Sequence, residues 1–136
     1  MERMSNDTAS RRPRVVLAED DAILRYTIKL IVGQHCEVIG EADNGAAAVD
    51  LAEQLRPDVV LLDISMPVLT GLEAARLIRE KLPDIRVIIV SNHTDTAHID
   101  EAFQIGAHGY VDKRSATDHL PKAISEALDG RVYRPQ

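Results

Sequence analysis

The stretch VVLL at residues 59–62, followed directly by Asp63, decides the fold class. Four consecutive apolar residues are typical of a strand that is buried on both faces, and such strands belong to parallel sheets. A second run of this kind, VIIV at residues 87–90, is followed by Ser91. Both runs therefore predict central strands of a parallel sheet, each ending next to a polar side chain.

Outward from these two runs, the chain alternates between strand-like and helical patterns. Three further strands are predicted at residues 14–18 (RVVLA), 37–42 (EVIGEA) and 109–112 (GYVD). Apolar residues at helical spacing predict helices over residues 22–33, 46–55, 70–82, 95–105 and 115–129. Five successive strand–helix units predict a doubly wound α/β domain, with helices on both faces of a parallel sheet.

Two of these helices begin with a motif that caps helix N-termini. The pattern is Thr70-x-x-Glu73 in one case and Ser115-x-x-Asp118 in the other. In such a capping box, each side chain accepts a hydrogen bond from the backbone amide of the other residue. We therefore expect both helices to begin with reciprocal side-chain caps.

Composition excludes several classes of protein. The 136 residues carry a net charge of −6, and 45% of them are hydrophobic, which predicts one globular domain. An acidic domain is poorly suited to binding DNA phosphates by itself, and no apolar run reaches the roughly 18 residues that a membrane helix needs. Cys36 is the only cysteine, which excludes an internal disulfide and favours a cytoplasmic location. Residues 1–12 are polar and aperiodic, so we expect a flexible leader before a domain at residues 13–136.

Polar residues follow four of the predicted strands. The first strand is followed by Glu19, Asp20 and Asp21, and the third by Asp63. Ser91 follows the fourth strand, and Lys113 lies at the end of the fifth. In open parallel sheets, ligands bind beyond the carboxyl ends of the strands, where the strand order reverses. If the order is 2-1-3-4-5, strands one and three are neighbours and their carboxylates converge.

Converging carboxylates repel each other, so they must shift their pKa values, pair with a basic side chain or bind a cation. Oxygen ligands with vacant positions suit Mg²⁺, which keeps several waters and accepts phosphate oxygens. A carboxylate beside Mg²⁺, a hydroxyl group and a lysine is the equipment for phosphoryl transfer to aspartate.

The sequence resembles the receiver domain of bacterial two-component response regulators over about residues 14–135. The segments that carry the resemblance are residues 15–21 (VVLAEDD), 57–67 (PDVVLLDISMP), 70–71 (TG), 87–91 (VIIVS) and 106–113 (GAHGYVDK). The resemblance implies the flavodoxin-like strand order 2-1-3-4-5. It also implies that Asp63 is the phosphoacceptor. Glu19 and Asp20 would bind Mg²⁺ together with Asp63 and the backbone carbonyl of Ser65.

The resemblance implies three further roles. Lys113 pairs with the phosphoryl group, and Ser91 and Tyr110 form the switch. A sensor histidine kinase would donate the phosphoryl group. The domain would catalyse its own Mg²⁺-dependent phosphorylation and dephosphorylation without being a turnover enzyme. The face made by the fourth helix, fifth strand and fifth helix would then meet a partner or a second copy of the chain.

Two features resemble the NarL/FixJ-type subgroup of response regulators. Arg114 follows Lys113 where many receivers have proline, and residues 128–135 read LDGRVYRP. In that subgroup a helix-turn-helix DNA-binding domain follows the receiver. We therefore expect the sequence, which ends at Gln136, to be the receiver part of a transcription regulator. A stand-alone receiver acting through protein–protein contacts is the alternative.

Three other functions are compatible with the fold class. A haloacid-dehalogenase-type phosphatase would need a second aspartate two residues after Asp63, but Ser65 occupies that position. A nucleotide- or flavin-binding module would need a glycine-rich loop, which the sequence lacks. A degenerate receiver is disfavoured by the complete set of Asp63, Ser91 and Lys113. We expect the five histidines to be surface and helix residues without metal-binding pairs; they are His35, His93, His98, His108 and His119.

Overall fold

The computed structural model describes residues 11–135. Five strands form one parallel sheet in the order β2-β1-β3-β4-β5, as predicted. The strands are β1 (Arg14–Ala18), β2 (Glu37–Ala42), β3 (Val59–Leu62), β4 (Arg86–Ser91) and β5 (Gly109–Asp112). The helices are α1 (Ala22–Val32), α2 (Gly45–Leu55), α3 (Gly71–Lys81), α4 (Thr96–Ile105) and α5 (Ala116–Leu128). The doubly wound α/β prediction is confirmed.

The sheet separates two apolar layers. Val60 and Leu62 face the layer that includes α2 and α3, and Val59 and Leu61 face the layer that includes α1 and α5. All four β3 side chains are fully buried. A continuous apolar run is therefore needed at this strand, because neither face of it meets water.

Of the two predicted capping boxes, one forms. Thr70 Oγ1 accepts from the Glu73 amide at 3.2 Å, and Glu73 Oε1 accepts from the Thr70 amide at 2.9 Å. The prediction for Ser115 is wrong: its side chain makes no capping hydrogen bond. A 3₁₀ turn over Lys113–Ser115 leads into α5, so Ser115 lacks the extended backbone that an N-cap requires. Asp112 caps this turn instead, accepting from the Arg114 amide at 2.9 Å.

The first ten residues and residue 136 lie outside the part of the chain that the structure describes. The expected leader at residues 1–12 falls outside residues 11–135 except for its last two positions. Arg11 contacts Asp58, and Arg12 donates to the carbonyl of Gly33. Within residues 11–135, no helix combines the length and the apolar character needed to cross a membrane.

The imidazole of His108, just before β5, accepts a hydrogen bond from a backbone amide of β4. Its Nδ1 accepts from the Val87 amide at 3.1 Å, and its own amide donates to the Val87 carbonyl at 2.7 Å. Burial, assisted by Arg79 and Arg86, lowers the pKa of His108 from 6.5 to about 4. The imidazole therefore stays neutral near pH 7 and keeps the acceptor that this bond requires.

This histidine is expected to make folding stability depend on pH. Between about pH 6.5 and 4 the unfolded chain binds a proton at His108 that the folded chain excludes. The contribution is fully present well above pH 6.5 and decreases as the pH falls, and we expect about 2 to 3 kcal/mol of it to be lost at pH 4.5. Urea unfolding of wild type and His108→Asn at pH 7 and 4.5 measures it as the difference between their pH dependences. The exposed-site control His35→Asn should behave like wild type, and a His108→Asn variant with the same pH slope would contradict the prediction.

Candidate functional site: an acidic pocket at the strand ends

Parallel strand pairing brings two distant carboxylates together. The register pairs Ala18 at the end of β1 with Leu62 at the end of β3. The Asp63 amide donates to the Ala18 carbonyl at 3.1 Å, so the pairing continues to the first residue after β3. Carboxylate oxygens of Glu19, Asp20 and Asp63 lie within 4.8 Å of one another. We call this group, with Lys113, the acidic pocket.

Lys113 connects the two buried carboxylates of the pocket. Its Nζ lies 2.8 Å from Glu19 Oε1 and 3.1 Å from Asp63 Oδ1. Glu19 is 1% exposed and Asp63 is 4% exposed, whereas Asp20 lies at the surface. The ammonium group therefore contacts two of the three carboxylates, and the pocket has an open acidic side at Asp20.

The pocket shifts the ionisation of its members. Burial raises the pKa of Glu19, and the charge of Asp63 adds to this, while Lys113 and the Asp21 amide oppose it. Burial lowers the pKa of Lys113, but its contacts with Glu19 and Asp63 outweigh burial and the net pKa is raised. Lys113 therefore stays charged, and an additional positive charge in the pocket would favour the ionised form of Glu19.

The donor atoms of the pocket fit a hard divalent cation. Glu19 Oε1 is fully buried and has no well-aligned hydrogen-bond donor within residues 11–135; its close contact is the Lys113 ammonium. A buried carboxylate oxygen without such a donor is costly unless a charge compensates it. Carboxylate oxygens from three residues, one of them open to water, match the preference of Mg²⁺ for oxygen ligands and retained waters.

Only two of the three acids after β1 enter the pocket. Asp21 instead caps α1, where its carboxylate accepts from the amides of Ile23 at 3.0 Å and Leu24 at 3.1 Å. Its backbone amide donates to Glu19 Oε2 at 3.1 Å. Asp21 thus orients Glu19 through the backbone.

The predicted switch residues meet at the loop between β4 and α4. Ser91 is the last residue of β4 and is fully buried, and its Oγ accepts from the His93 amide at 2.9 Å. The hydroxyl of Tyr110 donates to the His93 carbonyl. Burial raises the pKa of Tyr110, despite an opposing hydrogen bond with Ser91, so its hydroxyl keeps its proton. Ser91 and Tyr110 are therefore both bonded to the backbone of His93.

Ser65 links this loop to the acidic pocket. It lies at the surface two residues after Asp63, and its Oγ is 3.2 Å from His93 Nε2. Sequence reasoning did not anticipate that His93 approaches His98 and Asp95; their donor atoms also lie within 4.8 Å of one another. The available signal was the spacing His93-x-Asp95-x-x-His98.

The strand order and the pocket at the reversal point define a class: doubly wound α/β domains with an acid–lysine site at the carboxyl end of the sheet. Residues 15–125 match the family model described as response regulator receiver domain. The chain belongs to this family.

Several similar proteins are named as transcriptional regulators or as LuxR-family response regulators. The chain is 31% identical over 132 residues to the transcriptional regulatory protein DegU of Brevibacillus brevis, covering 96% of this chain and 56% of that protein. It is 36% identical over 122 residues to the nitrate/nitrite response regulator NarL of Escherichia coli K12, covering 87% and 56%. The chain thus spans about half the length of the curated relatives it matches.

A solved structure shows the same fold. A LuxR-family two-component response regulator from an Aurantimonas species superposes with a TM-score of 0.86 at 32% identity, covering 90% of this chain and 89% of that one. The predicted resemblance to NarL/FixJ-type receivers is confirmed at the level of the family and its transcriptional relatives.

Proposed function

We propose that the domain is a phosphorylation-dependent switch in which Asp63 accepts a phosphoryl group from the phosphohistidine of a sensor kinase. The observation that carries this proposal is the contact of Lys113 Nζ with both Asp63 and Glu19 in a pocket that opens at Asp20. A nucleophilic carboxylate, a fixed ammonium and a hard-cation site are the parts that phosphoryl transfer requires.

The transfer replaces one bond to phosphorus with another. An Asp63 oxygen attacks phosphorus, the bond between phosphorus and the kinase imidazole breaks, and the imidazole leaves with its electron pair and takes up a proton. Mg²⁺ held by Glu19, Asp20, Asp63 and the backbone carbonyl of Ser65 would screen the charge of the phosphoryl oxygens. Lys113, already 3.1 Å from Asp63 Oδ1, pairs with a phosphoryl oxygen.

The switch depends on hydrogen bonds that the oxygens of a phosphoryl group on Asp63 would accept. Ser91 Oγ accepts from the His93 amide at 2.9 Å, and its hydroxyl proton can be donated to a phosphoryl oxygen. Movement of Ser91 disturbs the backbone of His93, which also holds the hydroxyl of Tyr110. Phosphorylation therefore biases two arrangements of the loop between β4 and α4. The same pocket catalyses the hydrolysis that resets the domain, so the protein acts on itself rather than on external substrates.

An apolar stripe beside the pocket supports a protein partner. Ile23 is 80% exposed, Tyr26 62% and Leu30 55%, and all three lie on one side of α1. Because α1 begins directly after Asp21, this stripe lies next to the mouth of the pocket. Exposed apolar clusters rimmed by charge are typical of docking surfaces, and a kinase presenting its phosphohistidine would use this one.

The output is proposed from the face of α4, β5 and α5. A cavity of about 540 Å³ opens there beside Tyr110, Asp112 and Tyr133. This face would contact a second copy of the chain. By analogy with its transcriptional relatives, the protein would act in the cytoplasm and bind DNA through an output domain outside this sequence; a stand-alone receiver is the alternative.

The proposal is tested by measuring intact mass before and after treatment with acetyl phosphate. With Mg²⁺ present we expect one added phosphoryl group, and with a chelator in place of Mg²⁺ we expect none, because the carboxylates then repel the anionic donor. Full labelling without divalent ions would contradict the role of Mg²⁺. No labelling by either acetyl phosphate or phosphoramidate in Mg²⁺ would contradict the phosphoacceptor function.

A further inference from the structure

A second group of metal-binding side chains lies at the start of α4. The rings of His93 and His98 are stacked, with centroids 4.3 Å apart and planes inclined by 19°. Asp95 places its two carboxylate oxygens 2.8 and 2.7 Å from His98 Nδ1. One donor atom from each residue fits within 4.8 Å. We call these three residues the histidine cluster.

We propose that the histidine cluster is a binding site for a divalent transition-metal ion such as Zn²⁺, separate from the Mg²⁺ site of the acidic pocket. Two imidazoles and one carboxylate are the ligands that Zn²⁺ and its neighbours in the first transition row prefer. Tetrahedral bonds of about 2.1 Å place donor atoms about 3.4 Å apart. The Asp95 carboxylate, now 2.7 and 2.8 Å from His98 Nδ1, would therefore move outward by several tenths of an ångström as the ion replaces their shared proton.

The surroundings of His93 favour a ligand role. Its Nε2 lies 3.2 Å from Ser65 Oγ, and a ring held there through Nε2 would bind a metal ion through Nδ1. Metal-bound histidines typically use their second nitrogen in this way, because the hydrogen bond fixes the orientation of the ring. Both histidines are half-buried and Asp95 is exposed, so the ring positions are restrained while an ion can enter from solvent.

Charge is balanced locally. A cation at a helix N-terminus meets the positive end of the helix dipole, which disfavours it. The Asp95 carboxylate, which also caps α4 by accepting from the His98 amide at 3.2 Å, offsets that dipole at the same point. Further open positions on the ion would be taken by water.

The two proposed metal sites differ in donor chemistry. The acidic pocket offers oxygen atoms alone and suits Mg²⁺, whereas the histidine cluster offers nitrogen and selects softer ions. An ion in the cluster would tie His93 to the first turn of α4. Because the backbone of His93 holds Ser91 and Tyr110, the ion would restrain the switch loop. This consequence rests on the proposed function; the metal site itself does not.

The test is a Zn²⁺ titration by calorimetry with excess Mg²⁺ present to occupy the acidic pocket. Wild type and the control His35→Ala should each bind one Zn²⁺ with equal affinity. His93→Ala and His98→Ala should bind at least tenfold more weakly. Asp95→Asn should also weaken binding, and since asparagine is an equally good N-cap, α4 remains intact in this variant. Unchanged affinity in the two histidine variants and Asp95→Asn would overturn the proposal.

Two further measurements separate this site from the phosphorylation site. Asp63→Asn should bind Zn²⁺ like wild type; if Asp63→Asn loses binding and His98→Ala does not, the ion occupies the acidic pocket and the proposal is wrong. Electron paramagnetic resonance with one equivalent of Cu²⁺ should show two coupled imidazole nitrogens in wild type and one in His98→Ala. Coupling that does not change in His98→Ala would also overturn the proposal.

Discussion

Asp63→Asn should lose labelling by acetyl phosphate in Mg²⁺ by at least about 100-fold, while the domain remains folded. The amide keeps the size of the side chain but removes the anionic oxygen that attacks phosphorus. Intact mass after a fixed reaction time measures the effect. Residual labelling at the wild-type level would show that another residue accepts the phosphoryl group.

The fold should survive this change because the pocket carries an excess of negative charge. Lys113 loses the charge of its partner 3.1 Å away at Asp63 but keeps the ion pair with Glu19 at 2.8 Å. Repulsion between Glu19 and Asp63 disappears at the same time. The matched control is Asp50→Asn on the exposed side of α2, which should label like wild type. Thermal unfolding should show both variants folded.

Gly71→Ala should destabilise the domain by about 3 kcal/mol or more. A methyl group at this position would lie 1.9 Å from the Asp63 carbonyl oxygen and 2.7 Å from its carbon, both backbone atoms. The Gly71 amide also donates to the Ile64 carbonyl at 2.9 Å, which fixes the approach. The methyl group therefore forces the start of α3 away from the loop that carries Asp63. Urea unfolding measures the loss, and the folded fraction should label more slowly.

Gly130→Ala is the matched control because it distinguishes a steric clash of the added methyl group from strain in the backbone conformation. Gly130 has a positive φ of 85°, and a methyl group there would meet nothing within 4 Å. Alanine in this left-handed conformation costs about 1 kcal/mol. If Gly71→Ala is no less stable than Gly130→Ala, the loop after Asp63 can move away from the methyl group at little cost, and the prediction is wrong.

The local sequence was sufficient to predict the strands, the helices and the edge of the sheet at which the site lies. The runs at β3 and β4 are continuously apolar because both faces of these strands are covered, so their burial is written in consecutive residues. Parallel strands end at one edge, so the residues following them could be expected to meet. Glu19, Asp63 and Lys113 do meet there. The roles proposed for them stay predictions until labelling is measured.

Two features, the start of α5 and the histidine cluster, could not be predicted locally because they depend on contacts between separate segments. Asp21 and Ser115 both stood before predicted helices, yet only Asp21 is a cap, because the turn at Lys113–Ser115 changes the backbone before α5. The approach of His93 to His98 depends on how the loop after β4 folds over α4.

The sequence by itself therefore determined the succession of strands and helices along the chain and the residues at their ends. The reason is that the pattern of buried residues within one strand or helix repeats every few positions and can be read locally. Tertiary structure alone decided which neighbours each end residue meets. The space at Gly71 is an example: its need for glycine comes from the Asp63 carbonyl, eight positions earlier, and not from the conformation of Gly71 itself. Distances between separate segments follow from packing, which no local pattern of residues encodes.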